Sequence, residues 1–141
     1  MDLLPSNPDI PVGLAGLMPS IRAEMHRVAG NDEQGRKLLV DAINTVARRE
    51  AVPLSAGGAK TINIDTLNKW LQPSERGHAP SLDAIMCFCL AAGNAGPIRP
   101  ILKVLGLTAV SKEDMEVLEY GRTCKQMREL RVKKRVIEGR L

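Results

Sequence analysis

Apolar residues along this chain recur at helical spacing, and capping or breaking residues cut the pattern at intervals. Ile21, Met25 and Val28 fall at i, i+4 and i+7, one face of a short helix that Ser20 can cap and Gly30 and Asn31 can end. Asp32 is the N-cap candidate of a longer helix with a stripe of Leu39, Ala42, Ile43, Val46 and Ala47, while Arg36, Lys37, Asp41, Arg48 and Arg49 take the other faces. Pro53 disfavours helical geometry at the residue before it, so this helix is expected to end near Ala51. PLSAGGAKT, Pro53 to Thr61, then reads as a flexible connector.

Asn63 can cap the next helix by accepting from the N–H of Asp65 or Thr66. Along it Ile64, Leu67 and Leu71 point inward, Asn68, Lys69 and Gln72 turn outward, and Pro73 stops it. Ser81 opens LDAIMCFCLAAG, whose spacing predicts one apolar face of Leu82, Ile85, Met86, Cys89 and Leu90, with Phe88 on another. A helix apolar nearly all round is expected to be buried. Pro97 or Pro100 can start a short helix closed by Gly106. Ser111 with Asp114 approximates a capping box for a last helix, roughly Lys112 to Glu138. On that helix Tyr120, Thr123, Met127, Leu130, Lys134, Ile137 and Leu141 alternate at spacings of three and four, a seam suited to pairing with another helix.

With apolar residues at 44% but aromatics at only 2%, a core must be built from Leu, Ile, Val, Ala and Met, which favours packed helices over a sandwich. The expected fold is all-α, a compact bundle of five to six helices with a long C-terminal helix. At 141 residues one core is the economical arrangement. The segments are a flexible N-terminal tail over residues 1–19, a helical domain over 20–108, and a basic C-terminal helix over 109–141. The net charge of +4 is unevenly spread: Tyr120 to Leu141 carries +6 and everything before it −2. A basic character that favours nucleic acid therefore belongs to the C-terminal segment; the plain alternative is a solvated helix end. Three cysteines in apolar or helical contexts, with no secretion signal and no spanning stretch, point to a reduced, cytoplasmic protein.

Candidate chemistries fall away one by one. Gly57-Gly58-Ala59-Lys60-Thr61 lacks the first glycine and the preceding strand of a phosphate-binding loop, since position 54 is Leu. Cys87 and Cys89 diverge by about half a turn on one helix and cannot share a metal there, so core packing accounts for them. His26 and His78 have no nucleophile and acid at a recognised spacing. Asp114, Glu116 and Glu119 crowd a helix start, where the macrodipole favours acids. No enzyme activity, cofactor, metal site or small-molecule ligand is expected.

The order of a medium helix, a connector, a short helix with polar outward residues and a buried helix resembles the helix-turn-helix of lambda-repressor and Cro-like regulators. TLNKWLQPSERGHAPSLDAIMCFCLAAGN, Thr66 to Asn94, is similar to small DNA-binding regulators of phage and prophage origin, the Mu-like group among them. The likeness extends from about Ser20 to the end. It implies sequence-specific binding of double-stranded DNA by a transcriptional regulator, with the region Asn63 to Gln72 as recognition helix. Carried over, base-edge contacts fall on Asn63, Ile64 and Asp65, with Asn68 and Lys69 one turn later. Asn68 suits an adenine edge, Lys69 a guanine or a phosphate, and Ile64 a thymine methyl. Lys60, Thr61, Ser74 and Arg76 are the phosphate candidates in the flanking loops. Trp70 is expected as a core wedge rather than a stacking platform. A homodimer through the last helix is a further expectation. The competing reading is a protein-protein adaptor that uses a modified helix-turn-helix fold.

Overall fold

The computed structural model describes residues 13–141, and all the elements among them are helical. They are α1 (Leu17–Ala29), α2 (Glu33–Glu50), α3 (Ile64–Trp70), α4 (Leu82–Ala92), α5 (Arg99–Val104) and α6 (Lys112–Glu138), with short 3-10 turns at Leu14–Gly16 and Gly96–Ile98. The chain divides into two compact units, one ending at Thr108 and one running from Ala109 to Leu141. Residues 1–12 of the expected N-terminal tail lie outside the described residues. The rest of that stretch is not tail: α1 starts at Leu17, three residues before Ser20, and Leu17 and Met18 pack against the core. Pro19 permits this early start because it falls in the first helical turn, where its missing N–H leaves no bond unmade.

Four of the five expected N-caps act where the sequence places them, whereas Ser20 lies inside α1, whose N-cap is Gly16 with no side-chain bond. Asp32 accepts from Gly35 N at 2.9 Å, Asn63 from Thr66 N at 2.9 Å, Ser81 from Ala84 N at 3.1 Å and Ser111 from Asp114 N at 3.1 Å. Each satisfies one of the orphan donors of a first helical turn. Gly30 and Gly93 close α1 and α4 at φ 73° and 63°, backbone that side chains with a Cβ resist. Ala51 does the same for α2 without being glycine, at φ 54°.

The core of the first unit is built on α2 and α4, which pack most extensively on one another. Met25, Ile43, Leu67, Ala84 and Phe88 are fully enclosed in it. The face α4 turns inward differs from the expected one: Ala84, Ile85, Cys87, Phe88 and Cys89 are buried, while Leu82, Met86 and Leu90 are 65%, 44% and 55% exposed. Phe88 decides the rotation. As the only phenylalanine it brings the largest apolar area on that helix, and turning it inward beside small Ala84 carries the leucine stripe outward.

The segment Pro53 to Thr61 is not a loose connector. Leu54 is 1% exposed in the core, and its N–H donates to the Ala59 carbonyl at 2.7 Å. Gly58 N donates to the Ser55 carbonyl at 3.0 Å, and Ala59 N to Ser55 Oγ at 3.0 Å. A single buried leucine and a closed turn order a segment whose composition reads as a linker.

The second unit is α6 and its short approach. Among its residues from Lys112 to Glu138 none is buried. No helix among the described residues is long and apolar enough to cross a membrane.

Candidate nucleic-acid interface

α3 is short, seven residues, too few to be stable on propensity alone, so its position depends on tertiary ties. Its apolar side supplies the first of them. Leu67 is 0%, Trp70 3% and Leu71 1% exposed, so the single tryptophan is a core wedge. Ile64 is half-buried against the same core, which makes it a seat for the helix and leaves only part of its side chain for a thymine methyl.

Polar ties hold both ends. Ahead of α3, the Asn44 side chain on α2 clasps the backbone of Ile62: Nδ2 donates to the Ile62 carbonyl at 3.0 Å, and Ile62 N donates to Oδ1 at 2.8 Å. A carboxamide makes this two-pronged bond as a neighbouring strand would, because it carries a donor and an acceptor side by side. Near the far end, Arg36 Nη1 donates to Asn68 Oδ1 at 3.0 Å while its Nε donates to the Gly30 carbonyl at 2.8 Å. Positions 44 and 36 of α2 thus meet 62 and 68, an order in which the two segments run in opposite senses. The link between them is longer than the three- or four-residue turn of a helix-turn-helix pair. The thirteen residues from Ala51 to Asn63 that separate α2 from α3 provide the length for this return.

The remaining tie was not anticipated. Arg22 of α1 is 1% exposed and carries no carboxylate partner within bonding distance among the described residues. Its Nη1 donates to the Lys69 carbonyl at 2.5 Å and its Nη2 to the Gly77 carbonyl at 2.9 Å, while Nε has no partner. Burial pushes its pKa down, and the charge of Glu75 opposes that shift. The guanidinium therefore caps the carbonyl end of α3, where a cation is favoured, and pins the following loop to it. His26, one turn further along α1, places Nδ1 3.4 Å from the Leu71 carbonyl oxygen and Nε2 3.0 Å from Asn31 Oδ1. Arg22 sits beside Ile21 and Met25 on the inward arc of α1, and that flanking was the one available signal in the sequence.

What α3 leaves outward can now be stated residue by residue. Asp65 and Lys69 are exposed, as are Lys60 and Thr61 before the helix and Ser74 and Arg76 after it. Asn63 is exposed but its Oδ1 is engaged in the cap, bonding both Thr66 N and, at 3.1 Å, Thr66 Oγ1. Asn68 is half-buried, with one lone pair of Oδ1 taken by Arg36. Lys60 and Thr61 line an open groove of about 630 Å³ with Ala47, Arg48, Val52 and Pro53. That groove gathers Arg48 to the phosphate candidates, a residue at the end of α2 that helical periodicity assigns only to an outer face. Lys60, Lys69, Arg76 and Arg48 form no ion pair with a carboxylate among the described residues. No cluster of three or more metal-ligating side chains occurs among those residues either. Comparisons with protein-family models, with curated proteins and with solved structures find no match for this chain.

Proposed function

We propose that this protein binds double-stranded DNA through the outward edge of α3 and its flanking loops, as a sequence-specific transcriptional regulator of phage or prophage type. The observation that carries the reading is the set of unpaired, exposed cations, Lys60, Lys69 and Arg76, placed before, on and after a helix whose Leu67 and Trp70 are taken up by the core. Cations left free of carboxylates are available to displace counterions from phosphates. In this reading Lys60, Thr61, Ser74 and Arg76, with Arg48 added, meet the backbone and set register.

Asn68 is the principal base reader. Arg36 holds its oxygen at 3.0 Å, which fixes the orientation of the carboxamide before DNA arrives and leaves Nδ2 and the second lone pair of Oδ1 for an adenine edge. Lys69 adds a guanine or phosphate contact. Asn63, Ile64 and Asp65 lie at the start of the helix, where Asn63 keeps only its Nδ2 donor and Asp65 suits a cytosine amine. Three free thiols suit a reducing, cytoplasmic setting.

The test is duplex binding at several salt concentrations. Affinity should fall steeply as salt rises, and replacing Lys60, Lys69 or Arg76 by Ala should flatten the log–log slope by about 1 each. Asn68→Ala should cost about 1 to 3 kcal/mol of discrimination at one base pair and little elsewhere. Absence of binding to any duplex at low salt ends the proposal. A second reading, a protein-protein adaptor, is favoured by the exposed stripe Leu82, Met86 and Leu90 on α4, the kind of apolar patch partners cover. Capture of a protein partner that is lost in Met86→Lys, with no duplex binding, would select it.

A further inference from the structure

A helix of 27 residues, about 40 Å long, gains most of its stability in a protein by burying an apolar face. α6 buries none: Tyr120 is 73%, Leu130 63%, Met127 49% and Ile137 49% exposed. These four lie on one seam at alternating spacings of three and four, and the same spacing extended toward the start of α6 reaches Glu116 and Glu113. The seam is therefore acidic at its beginning, apolar in the middle and basic at Lys134. The whole helix shows the same polarity, with net −3 from Lys112 to Glu119 and +6 from Tyr120 to Leu141.

We propose that α6 pairs with α6 of a second copy as an antiparallel two-helix coiled coil, in the register that sets Lys112 level with the partner's Glu138. In an antiparallel pair each a-type position faces a d-type position, and this register satisfies that rule over the whole helix. Tyr120 meets the partner's Leu130, Thr123 meets the partner's Met127, and Glu116 meets the partner's Lys134. Each contact occurs twice by symmetry. On the flank, Glu119 lies beside the partner's Lys133. Lys134 now reaches Glu138 of its own helix at 3.7 Å, with 76% of its side chain exposed, a weak pair that is readily exchanged.

The parallel alternative sets Glu113, Glu116 and Lys134 each against its own copy, three like-charge contacts inside the seam, and stacks the acidic starts and the basic ends together. Repulsion of that kind selects orientation as strongly as attraction does. Two such helices hide on the order of 1,000 Å² between them, which reaches the size of a specific interface. Leu118, Val132 and Val136 fall outside the seam and remain exposed in the pair. Arg122, Lys125, Arg128 and Arg135 also point away from it and stay free for phosphates.

This pairing does not rest on DNA binding and is tested without DNA. Sedimentation equilibrium of the full chain should give a dimer in the micromolar range. Lys134→Glu alone, or Glu116→Lys alone, should weaken the dimer at least tenfold, and the two together should restore it to within about threefold, because the pair is only reversed. In a parallel dimer neither single change creates a new opposition and the double change rescues nothing. Spin labels on Glu138→Cys, in a Cys124→Ser background, should lie about 40 Å apart in the antiparallel pair, and close together in a parallel one. A chain that stays monomeric at 100-micromolar concentration, a dimer without charge-swap rescue, or adjacent labels would each overturn the proposal.

Discussion

Replacing Arg22 by Met is the sharpest probe of how α3 is held. The thioether side chain keeps most of the apolar stem, so the change isolates the guanidinium. Two hydrogen bonds from a charged donor are lost, to the Lys69 and Gly77 carbonyls, each worth about 1.5–3 kcal/mol. Against that loss stands relief of the buried, unpartnered Nε, about 1–3 kcal/mol, together with relief of the desolvation that pushes the arginine's pKa down. The net is a destabilisation of about 2 kcal/mol. Trp70, the only tryptophan and 3% exposed, reports directly on the seat of α3 through its fluorescence. With a urea dependence of about 1–3 kcal/mol per molar for a domain of this size, the midpoint should drop by about 0.7–2 M. Amide exchange should also accelerate from Lys69 to His78. Arg22→Lys should fall between, since one ammonium cannot span both carbonyls in fork geometry. A midpoint within 0.2 M of the parent, with unchanged exchange in that loop, would show that α1 does not hold α3 through this residue.

Three further outcomes follow from the same geometry. Ala51→Gly removes a left-handed alanine at the end of α2, so it should stabilise by about 0.5–1 kcal/mol and raise Tm by a few degrees in calorimetry; a lower Tm would contradict the assignment. Asn44→Ala strips both bonds to the Ile62 backbone and should cost about 1–3 kcal/mol in urea unfolding, while Asn44→Asp, which keeps the bond from Ile62 N but sets a second acceptor oxygen against the Ile62 carbonyl, should cost at least as much. Burial pushes the Cys87 and Cys89 thiols up, with Asp83 and Glu50 adding to the shift at Cys87. A maleimide at neutral pH should therefore label Cys124 and spare the other two. Because the folded state holds those two protons more tightly than the unfolded chain, this contribution is complete below about pH 8.5 and is lost as the pH rises through the raised values. Equal labelling of all three thiols in the folded protein would refute that burial.

Helix identity was legible from residues that act locally. Asp32, Asn63, Ser81 and Ser111 cap their helices with their own side chains, and Gly30 and Gly93 end theirs by adopting a backbone other residues resist. Such signals need only three or four neighbouring residues, so sequence alone carries them. The outward placement of Lys69 and Gln72 was legible for the same reason, once Leu67 and Leu71 face inward, whereas Asn68, expected beside them, is half-buried against Arg36.

Which face of α4 is inward was not legible, because a helix apolar nearly all round offers several faces and the fit of Phe88 into the core chooses among them. The anchoring of Leu54, the clasp of Asn44 on Ile62, the grip of Arg36 on Asn68 and the burial of Arg22 across 47 and 55 residues of chain were equally hidden. Each pairs a residue with a backbone or side-chain group far away in sequence, and its free energy exists only after the core has brought the two together. Local chemistry thus determined where the helices are, and long-range packing decided how α3 is seated and which of its groups remain free.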